Sequence, residues 1–305
     1  QKLTNMALQT EIWIKSIVDG LWPEDSFLSK AVNDDQYVSN KTVHIPNAGN
    51  ASAVKMDRSE LPATIKKRTD NEVTYNLHEF TSDPVLIQFT EELQLSYSKR
   101  ESVIKEDRAN IVNQVAEYML QQWAPDSTHI LTTTGDAVAA HTDSATGQRK
   151  GFTMDDAFAL MAKFNAEDIP QEGRYLLLDA FMYQQLIKSM SNNEMAAFQA
   201  TADLKRGVMG KVASFNVMMR STVLRYATDG TLKAKSEKGA ATDNAAGLAW
   251  YEGAVSRSKG EVKMFSSTGD PAYYGDVYSF LVNAGGAKRR TDKKGIWAIR
   301  QGAAA

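Results

Sequence analysis

The sequence of 305 residues contains no cysteine. This absence excludes disulfide bonds, cysteine zinc sites and cysteine nucleophiles, and it leaves the redox compartment undecided. The sequence also lacks any run of about 18 apolar residues, so no transmembrane helix is predicted. The N-terminus does not show the basic-then-apolar order of a secretory signal, and we therefore expect synthesis in a cytoplasm.

Neither sign of charge is in clear excess. Lys and Arg together number 35 against 37 Asp and Glu, which gives a formal net charge of -2. A dedicated nucleic-acid-binding protein usually carries a strong basic excess, so that class is disfavoured. A shell that only encloses nucleic acid needs no such excess. Hydrophobic residues make up 43% of the chain, enough for a sizeable core, and this disfavours the disordered, collagen-like and fibrous classes.

Motifs that carry catalysis are missing as well. None of the four histidines is paired at the i,i+4 spacing of a helical zinc site, although His44 and His78 could face each other across two strands. Residues 207–211 are too short for a phosphate-binding loop and lack the Ser or Thr after the lysine. The Asp155–Asp156 pair is explained as the acidic first turn of a helix. We expect no catalytic residue, no cofactor site and no metal site.

The N-terminal segment predicts a short amphipathic helix. Apolar residues recur at roughly helical spacing over residues 8–21, and Gly20 and Pro23 end the pattern. A single short helix has little to pack against within its own chain. Trp13 and Trp22 need an apolar partner, and we predict that a neighbouring subunit supplies it.

A long polar excursion separates two strand patterns. The first pattern includes Val43 and Ile45, and the second alternates cleanly over residues 72–80. Loops longer than about 15 residues are uncommon in compact domains, so this one is expected to reach beyond the body of the molecule. Its basic residues either form ion pairs with a neighbouring subunit or belong to a solvated face. These residues are Lys66, Lys67 and Arg68.

A long helix is predicted from about Tyr97 to Ala124, where Pro125 ends it. At 1.5 Å per residue it spans on the order of 40 Å, which suggests a strut along the molecule. Its apolar stripe is explained by ordinary core packing.

The middle of the chain has the pattern of an α/β module. Thr153 begins a helix with Asp156 at its third position, residues 175–178 read as a buried strand, and Asp179 begins another helix. Residues 228–246 are small, polar and glycine-containing, and they predict an exposed loop.

The C-terminal part is rich in strand patterns. Two long strands are predicted over residues 260–265 and 273–282, with a turn at 266–271 and a last short strand at 296–299. A basic cluster lies between the second long strand and the last short strand. It is a candidate contact with nucleic acid phosphate or with an acidic neighbouring subunit, and the alternative is a solvated turn. The cluster comprises Lys288, Arg289 and Arg290, with Lys293 and Lys294 nearby.

The order of these elements resembles the major capsid protein of tailed bacteriophages, which has the Hong Kong 97-like fold. Several stretches are similar to capsid sequences of that family, although Ser214 stands where that family usually has glycine. The stretches are residues 95–103, 122–125, 174–179, 207–217, 260–262 and 274–278.

The resemblance implies an α+β fold with four parts. They are an N-terminal arm (1–37), an extended loop (38–86), a peripheral domain with the spine helix (87–125 and 255–286), and an axial domain (126–254 and 287–305).

The resemblance also implies a structural protein of the virion, not an enzyme. It would self-assemble through pentamers and hexamers into an icosahedral shell around packaged double-stranded DNA. The expected partners are other copies of itself, a portal, and scaffolding or decoration proteins. DNA would be enclosed without sequence-specific binding. Two other classes stay open: the shell of an encapsulin-type compartment, which shares the fold, and a soluble enzyme or binding module.

Overall fold

The structure is a computed structural model. It describes residues 11, 14–15, 17–47, 56–57, 71–88, 99–290 and 292–303. Four of the predicted contact residues, Trp13, Lys66, Lys67 and Arg68, lie outside this part of the chain.

The helices include the predicted long helix, which is 25 residues long. Residues 17–21 are helical, and the helices that follow are α1 (Lys99–Trp123), α2 (Met154–Ala166), α3 (Ala180–Ser189) and α4 (Asn192–Ala200). In the described ranges, no helix is both long enough and apolar enough to cross a bilayer.

The strands are numbered in chain order. They are β1 (Val32–Asn33), β2 (Val38–Ser39), β3 (Thr42–Asn47), β4 (Asn71–Asn76), β5 (His78–Thr81), β6 (Val85–Gln88), β7 (Ile130–Thr132), β8 (Ala137–Ala139), β9 (Gln148–Lys150), β10 (Arg174–Asp179), β11 (Gly210–Val212), β12 (Phe215–Arg220), β13 (Leu224–Tyr226), β14 (Leu232–Lys233), β15 (Asn244–Tyr251), β16 (Val255–Asp270), β17 (Gly275–Lys288) and β18 (Ile296–Arg300).

A central sheet of eight strands has the order β11-β12-β10-β15-β13-β14, with β18 next to β15 and β7 next to β18. Alternate residues of β10 enter two different cores. Leu176 and Leu178 pack in the core that contains residues of α2, α3 and α4. Tyr175 and Leu177 pack in the core that contains α1 residues. Because both faces of this strand are covered, its sequence is a continuous apolar run, as predicted.

The predicted helix starts of this region are confirmed. The Asp156 carboxylate accepts a hydrogen bond from the backbone N–H of Thr153 at 2.9 Å and another from the Thr134 hydroxyl at 2.7 Å. Asp179 accepts the N–H of Met182 at 2.7 Å. These carboxylates satisfy donors that helix starts would leave unpaired.

A second sheet has the order β1-β16-β17-β5, with β6 also on β17. Helix α1 lies against β17 at Gly286, where any side chain would collide with Met119. The indole of Trp123 donates a hydrogen bond to the carbonyl of Ser256 at 3.0 Å. The end of α1 is therefore fixed to both long strands.

The two strands that flank the polar excursion are present, as predicted, and they pair with each other. β3 and β4 are antiparallel, with register pairs running from Thr42 opposite Asn76 to Asn47 opposite Asn71. Val43, Ile45 and Leu77 form a small buried cluster at the base of this hairpin.

The prediction of an exposed loop over residues 228–246 is wrong at its C-terminal end. The strand β15 begins at Asn244, and Ala245 and Ala246 are buried. Small residues are required in this strand because a side chain at Gly247 would lie 2.8 Å from a methyl group of Leu178. Alanine and glycine have low strand propensity, so the sequence pattern did not indicate a strand.

Candidate assembly surfaces

The described end of the N-terminal segment, residues 17–21, packs on its own chain. Ile17 and Leu21 are completely buried in the core that contains Ile111 and Val115 of α1. The expectation that this segment has nothing to cover its apolar stripe is therefore wrong for the described residues. The partners lie about 90 positions further along the chain, a distance that local periodicity cannot show.

Trp22 is half-buried against the same core. The guanidinium of Arg257 lies over its ring at 4.9 Å from the ring centre, which is a cation–π contact. Part of the ring is exposed, and a contact of that part with a neighbouring subunit stays a prediction.

Replacing Trp22 with serine is expected to lower the free energy of unfolding of the isolated subunit by about 2 kcal/mol. The ring is only half-buried, so the loss should be smaller than the 3–5 kcal/mol typical of a fully buried aromatic residue. Thermal unfolding of the unassembled subunit measures this change. Met56→Ser is the matched control because Met56 is 90% exposed; equal stability of the two variants would contradict the packing of Trp22 on its own chain.

A buried carboxylate marks the place where the hairpin meets the second sheet. Asp34 follows β1 and is fully buried. Its carboxylate accepts no hydrogen bond from the described residues, and the guanidinium of Arg289 lies 3.6 Å away. The Ser256 hydroxyl beside it donates to the Tyr75 oxygen of β4 at 3.4 Å. Burial outweighs the nearby guanidinium and raises the pKa of Asp34.

This raised pKa predicts a pH dependence of stability. Between the unfolded and folded pKa values the folded state binds more protons, so the contribution of Asp34 is full at acidic pH and is lost as the pH rises. In Asp34→Asn this decrease in stability with rising pH should be absent. The variant is also expected to lose an amount of stability that does not depend on pH. Thermal unfolding of both proteins at pH 4 to 8 tests the difference. An unchanged gap between them across that range would contradict the prediction.

The predicted basic cluster is largely paired within the chain. The Lys288 ammonium donates to the carbonyl of Ala124 at 2.8 Å, at the end of α1, and burial lowers its pKa. Arg289 faces Asp34, as described above. Arg290 binds Asp292 through two hydrogen bonds of 2.8 and 2.7 Å, which lower the pKa of Asp292 to about 2.

Lys293 of the same cluster pairs with Asp126. The cluster therefore fastens the turn after β17 to the end of α1. The predicted contact with nucleic acid or a neighbour stays a prediction, with less free charge to support it.

The histidines do not form the pair that the sequence allowed. His44 contacts Glu72 at 2.5 Å, whereas the ring of His78 packs on Tyr118. His141 contacts the capping residue Asp179 at 2.9 Å. Among the described residues, no three metal-ligating side chains come together.

Arg174 is a structural feature that the sequence did not reveal. It is fully buried at the start of β10 and has four neutral hydrogen-bond acceptors. They are the carbonyls of Pro170 and Ile169, the side-chain oxygen of Asn165 and the hydroxyl of Ser214. Ser214 has a positive φ of 71°, a conformation that favours glycine. Its contact with Arg174, at 3.0 Å, explains why a serine is held there.

No protein-family model and no curated protein sequence matches the chain. Solved structures do match over most of its length. The capsid of Ralstonia phage GP4 is 14% identical, with a TM-score of 0.61, and the match covers 92% of this chain and 88% of that chain. The capsid structure of the cyanophage P-SCSP1u is 18% identical, with a TM-score of 0.58 and coverages of 90% and 87%.

The capsid of an empty GTA particle is 11% identical, with a TM-score of 0.59 and coverages of 92% and 90%. At these identities the likeness concerns the fold. The chain has the α+β, Hong Kong 97-like fold of tailed-phage capsid structures, as its sequence predicted.

Proposed function

We propose that the chain is a major capsid protein, which self-assembles through pentamers and hexamers into an icosahedral shell around a phage double-stranded DNA genome. The observation that carries this proposal is the match to phage capsid structures over about nine tenths of both chains. A match over about nine tenths of the chain is too long to be confined to the central module.

The proposed parts of the subunit follow the sheets. The second sheet with α1 is the peripheral domain, the central sheet with α2, α3 and α4 is the axial domain, and the β3–β4 hairpin is the base of the extended loop. The break between the two domains falls between β15, which ends at Tyr251, and β16, which begins at Val255. The extended loop and the N-terminal arm (1–37) are proposed to contact neighbouring subunits, with Trp13, Lys66, Lys67 and Arg68 among the contacts.

The runner-up is a compartment shell of the encapsulin type. The similar structures reported above are capsids of phages and of a GTA particle, which supports the phage capsid over the compartment. Terminase and portal genes next to the gene would support a capsid, and a neighbouring cargo enzyme would support a compartment.

A structural role in the virion is consistent with a sequence in which no catalytic motif was found. We propose that the chain is made in the host bacterial cytoplasm and ends in the capsid of the virion. A portal is a proposed partner, as are scaffolding or decoration proteins. The near-neutral net charge of -2 suits a shell that encloses DNA without reading its sequence.

Electron microscopy of the expressed chain tests the proposal. Uniform hollow shells, or rings of five and six subunits, are the expected result. Light scattering measured over a range of salt and protein concentrations gives the second readout. A 33.7 kDa monomer under every condition would contradict self-assembly.

A further inference from the structure

The β3–β4 hairpin is connected to the second sheet at two crossing points, which together form the joint. At the first, the chain leaves β1, which pairs with β16, and passes through Asp34 towards the hairpin. At the second, β4 continues through Leu77 into β5, which pairs with β17. Any rotation of the hairpin against the second sheet therefore takes place at Asp34 and Leu77.

Little apolar contact holds the joint closed. In the described part of the chain, its buried apolar cluster consists of Val43, Ile45 and Leu77. The surface under Leu77 is made of glycine, because a side chain at Gly260 or Gly285 would lie 2.8 Å from one of the leucine methyl groups. Hydrophobic stabilisation scales with the apolar area that is buried, and this cluster is far smaller than either core. A polar contact can therefore decide whether the joint stays closed.

Asp34 supplies this polar contact. Its backbone N–H donates to the carbonyl of Arg257 at 2.9 Å, which fixes the residue on β16. Its side chain is fully buried beside the hydroxyls of Ser256 and Tyr75, and Tyr75 belongs to the hairpin. An ionised carboxylate is costly to bury. Rotation of the hairpin would carry Tyr75 away and give the carboxylate access to water.

The groups around Asp34 act on its charge in opposite directions. The guanidinium of Arg289, which follows β17, lies 3.6 Å away and favours the ionised form. Asp35 in the same turn opposes it, and its carboxylate accepts the N–H of Lys259 at 2.7 Å. Tyr75 stays neutral, because burial raises its pKa to about 12. Burial has the largest effect on Asp34 and raises its pKa, so the closed joint favours the neutral carboxyl group.

We propose that the joint is a pH-dependent latch, which holds the hairpin on the second sheet while the Asp34 carboxyl group is neutral and releases it when that group is ionised. The proton passes to water, and the carboxylate that remains gains solvation as the joint opens. Both cores stay folded in the two states. The latch belongs to the single subunit. Its consequence for assembly, a change in the direction of the extended loop, rests on the proposed function.

The open fraction should rise with pH. In the open joint Asp34 ionises near pH 4, as a free aspartate does, whereas in the closed joint it ionises only at higher pH. The ratio of open to closed subunits should therefore increase roughly threefold or more between pH 4 and pH 8.

Two spin labels measure this ratio, because the chain has no cysteine of its own to interfere with labelling. Thr74→Cys in β4 and Lys263→Cys in β16 place the labels at exposed positions on the two sides of the joint. Pulsed electron paramagnetic resonance of the full-length, unassembled chain should give one distance at pH 4. A second distance should appear and gain weight as the pH approaches 8.

Three variants in this labelled background identify the group that titrates. Asp34→Asn has nearly the same shape and no charge, so its ratio of open to closed subunits should not change with pH. Asp83→Asn is the matched control, because Asp83 is exposed between β5 and β6, and it should keep the pH dependence of the parent protein. Ser256→Ala removes a hydroxyl that stabilises ionised Asp34, so the same increase should occur at higher pH. This variant loses a single oxygen atom and gives a result even where Asp34→Asn does not fold.

Either of two results rejects the latch. One is a single, unchanged distance from pH 4 to pH 8 in the labelled parent protein. The other is a pH dependence that stays the same in Asp34→Asn, or in Ser256→Ala where Asp34→Asn does not fold, because another group would then control the joint. These distances are measured on single subunits. A failure to form shells would therefore reject the proposed function and leave the test of the latch intact.

Discussion

Replacing Arg174 with methionine is expected to lower the free energy of unfolding by about 3 kcal/mol. Methionine fills much of the volume, but the four oxygens that accept hydrogen bonds from the guanidinium lose their donor. A buried polar group left without a partner costs about 1–3 kcal/mol. Relaxation of the surrounding loop offsets part of the sum. Chemical denaturation of the unassembled subunit measures the change.

Two variants show whether geometry or charge is responsible. Arg174→Lys keeps the charge, but one ammonium cannot reach acceptors spread around a planar guanidinium, so it should also be clearly destabilised. Arg290→Met should change stability by less than about 0.5 kcal/mol, because the side chain of Arg290 is 46% exposed and its ion pair is at the surface. Arg174→Met as stable as Arg290→Met would refute the proposed role.

Removing the excursion should abolish shell formation while the subunit still folds. Asn47 and Asn71 are the last register partners of β3 and β4, so residues 48–70 can be replaced by Asn-Gly in a two-residue turn. The replacement keeps the paired base of the hairpin and its buried cluster. Met56, within the excursion, is 90% exposed in the single chain, as expected for a residue that contributes nothing to the subunit core.

Two measurements separate folding from assembly in this variant. Its thermal unfolding and the hydrogen exchange of β10 should match the wild type, since the described residues of both cores lie outside the replaced range. Microscopy should find no closed shells. Shells at normal yield would mean that the excursion is not an assembly arm.

Local signals predicted most of the elements. The long helix was placed within two residues of α1 because its stripe and Pro125 are local features. The buried strand at 175–178 and both capping aspartates were likewise confirmed, since an apolar run and a cap are complete within a few residues. The two strand arms of the hairpin were predicted from alternation and turn residues, whereas their pairing is a result of the structure.

What the sequence could not predict depends on distant contacts. Arg174 precedes an apolar run and would ordinarily be read as an exposed strand end, whereas its acceptors come from α2, from the turn before β10 and from Ser214, 40 positions away. The basic cluster looked free because Asp34 and Asp126 lie more than 160 positions away in the chain. The alanines of β15 are suited to close packing between neighbours that no local pattern specifies.

The position of β18 has a consequence for when the subunit can fold. This strand lies between β15 and β7, in the interior of the central sheet, yet it comes after all the other described strands in chain order. On the ribosome, the sheet cannot close until residues 296–300 have emerged. β1 likewise cannot pair until β16, more than 220 positions later in the chain, has been synthesised. Folding dominated by such distant pairings is slow. A nascent chain in which β18 has not yet been made would therefore lack its finished surfaces, which delays association between copies.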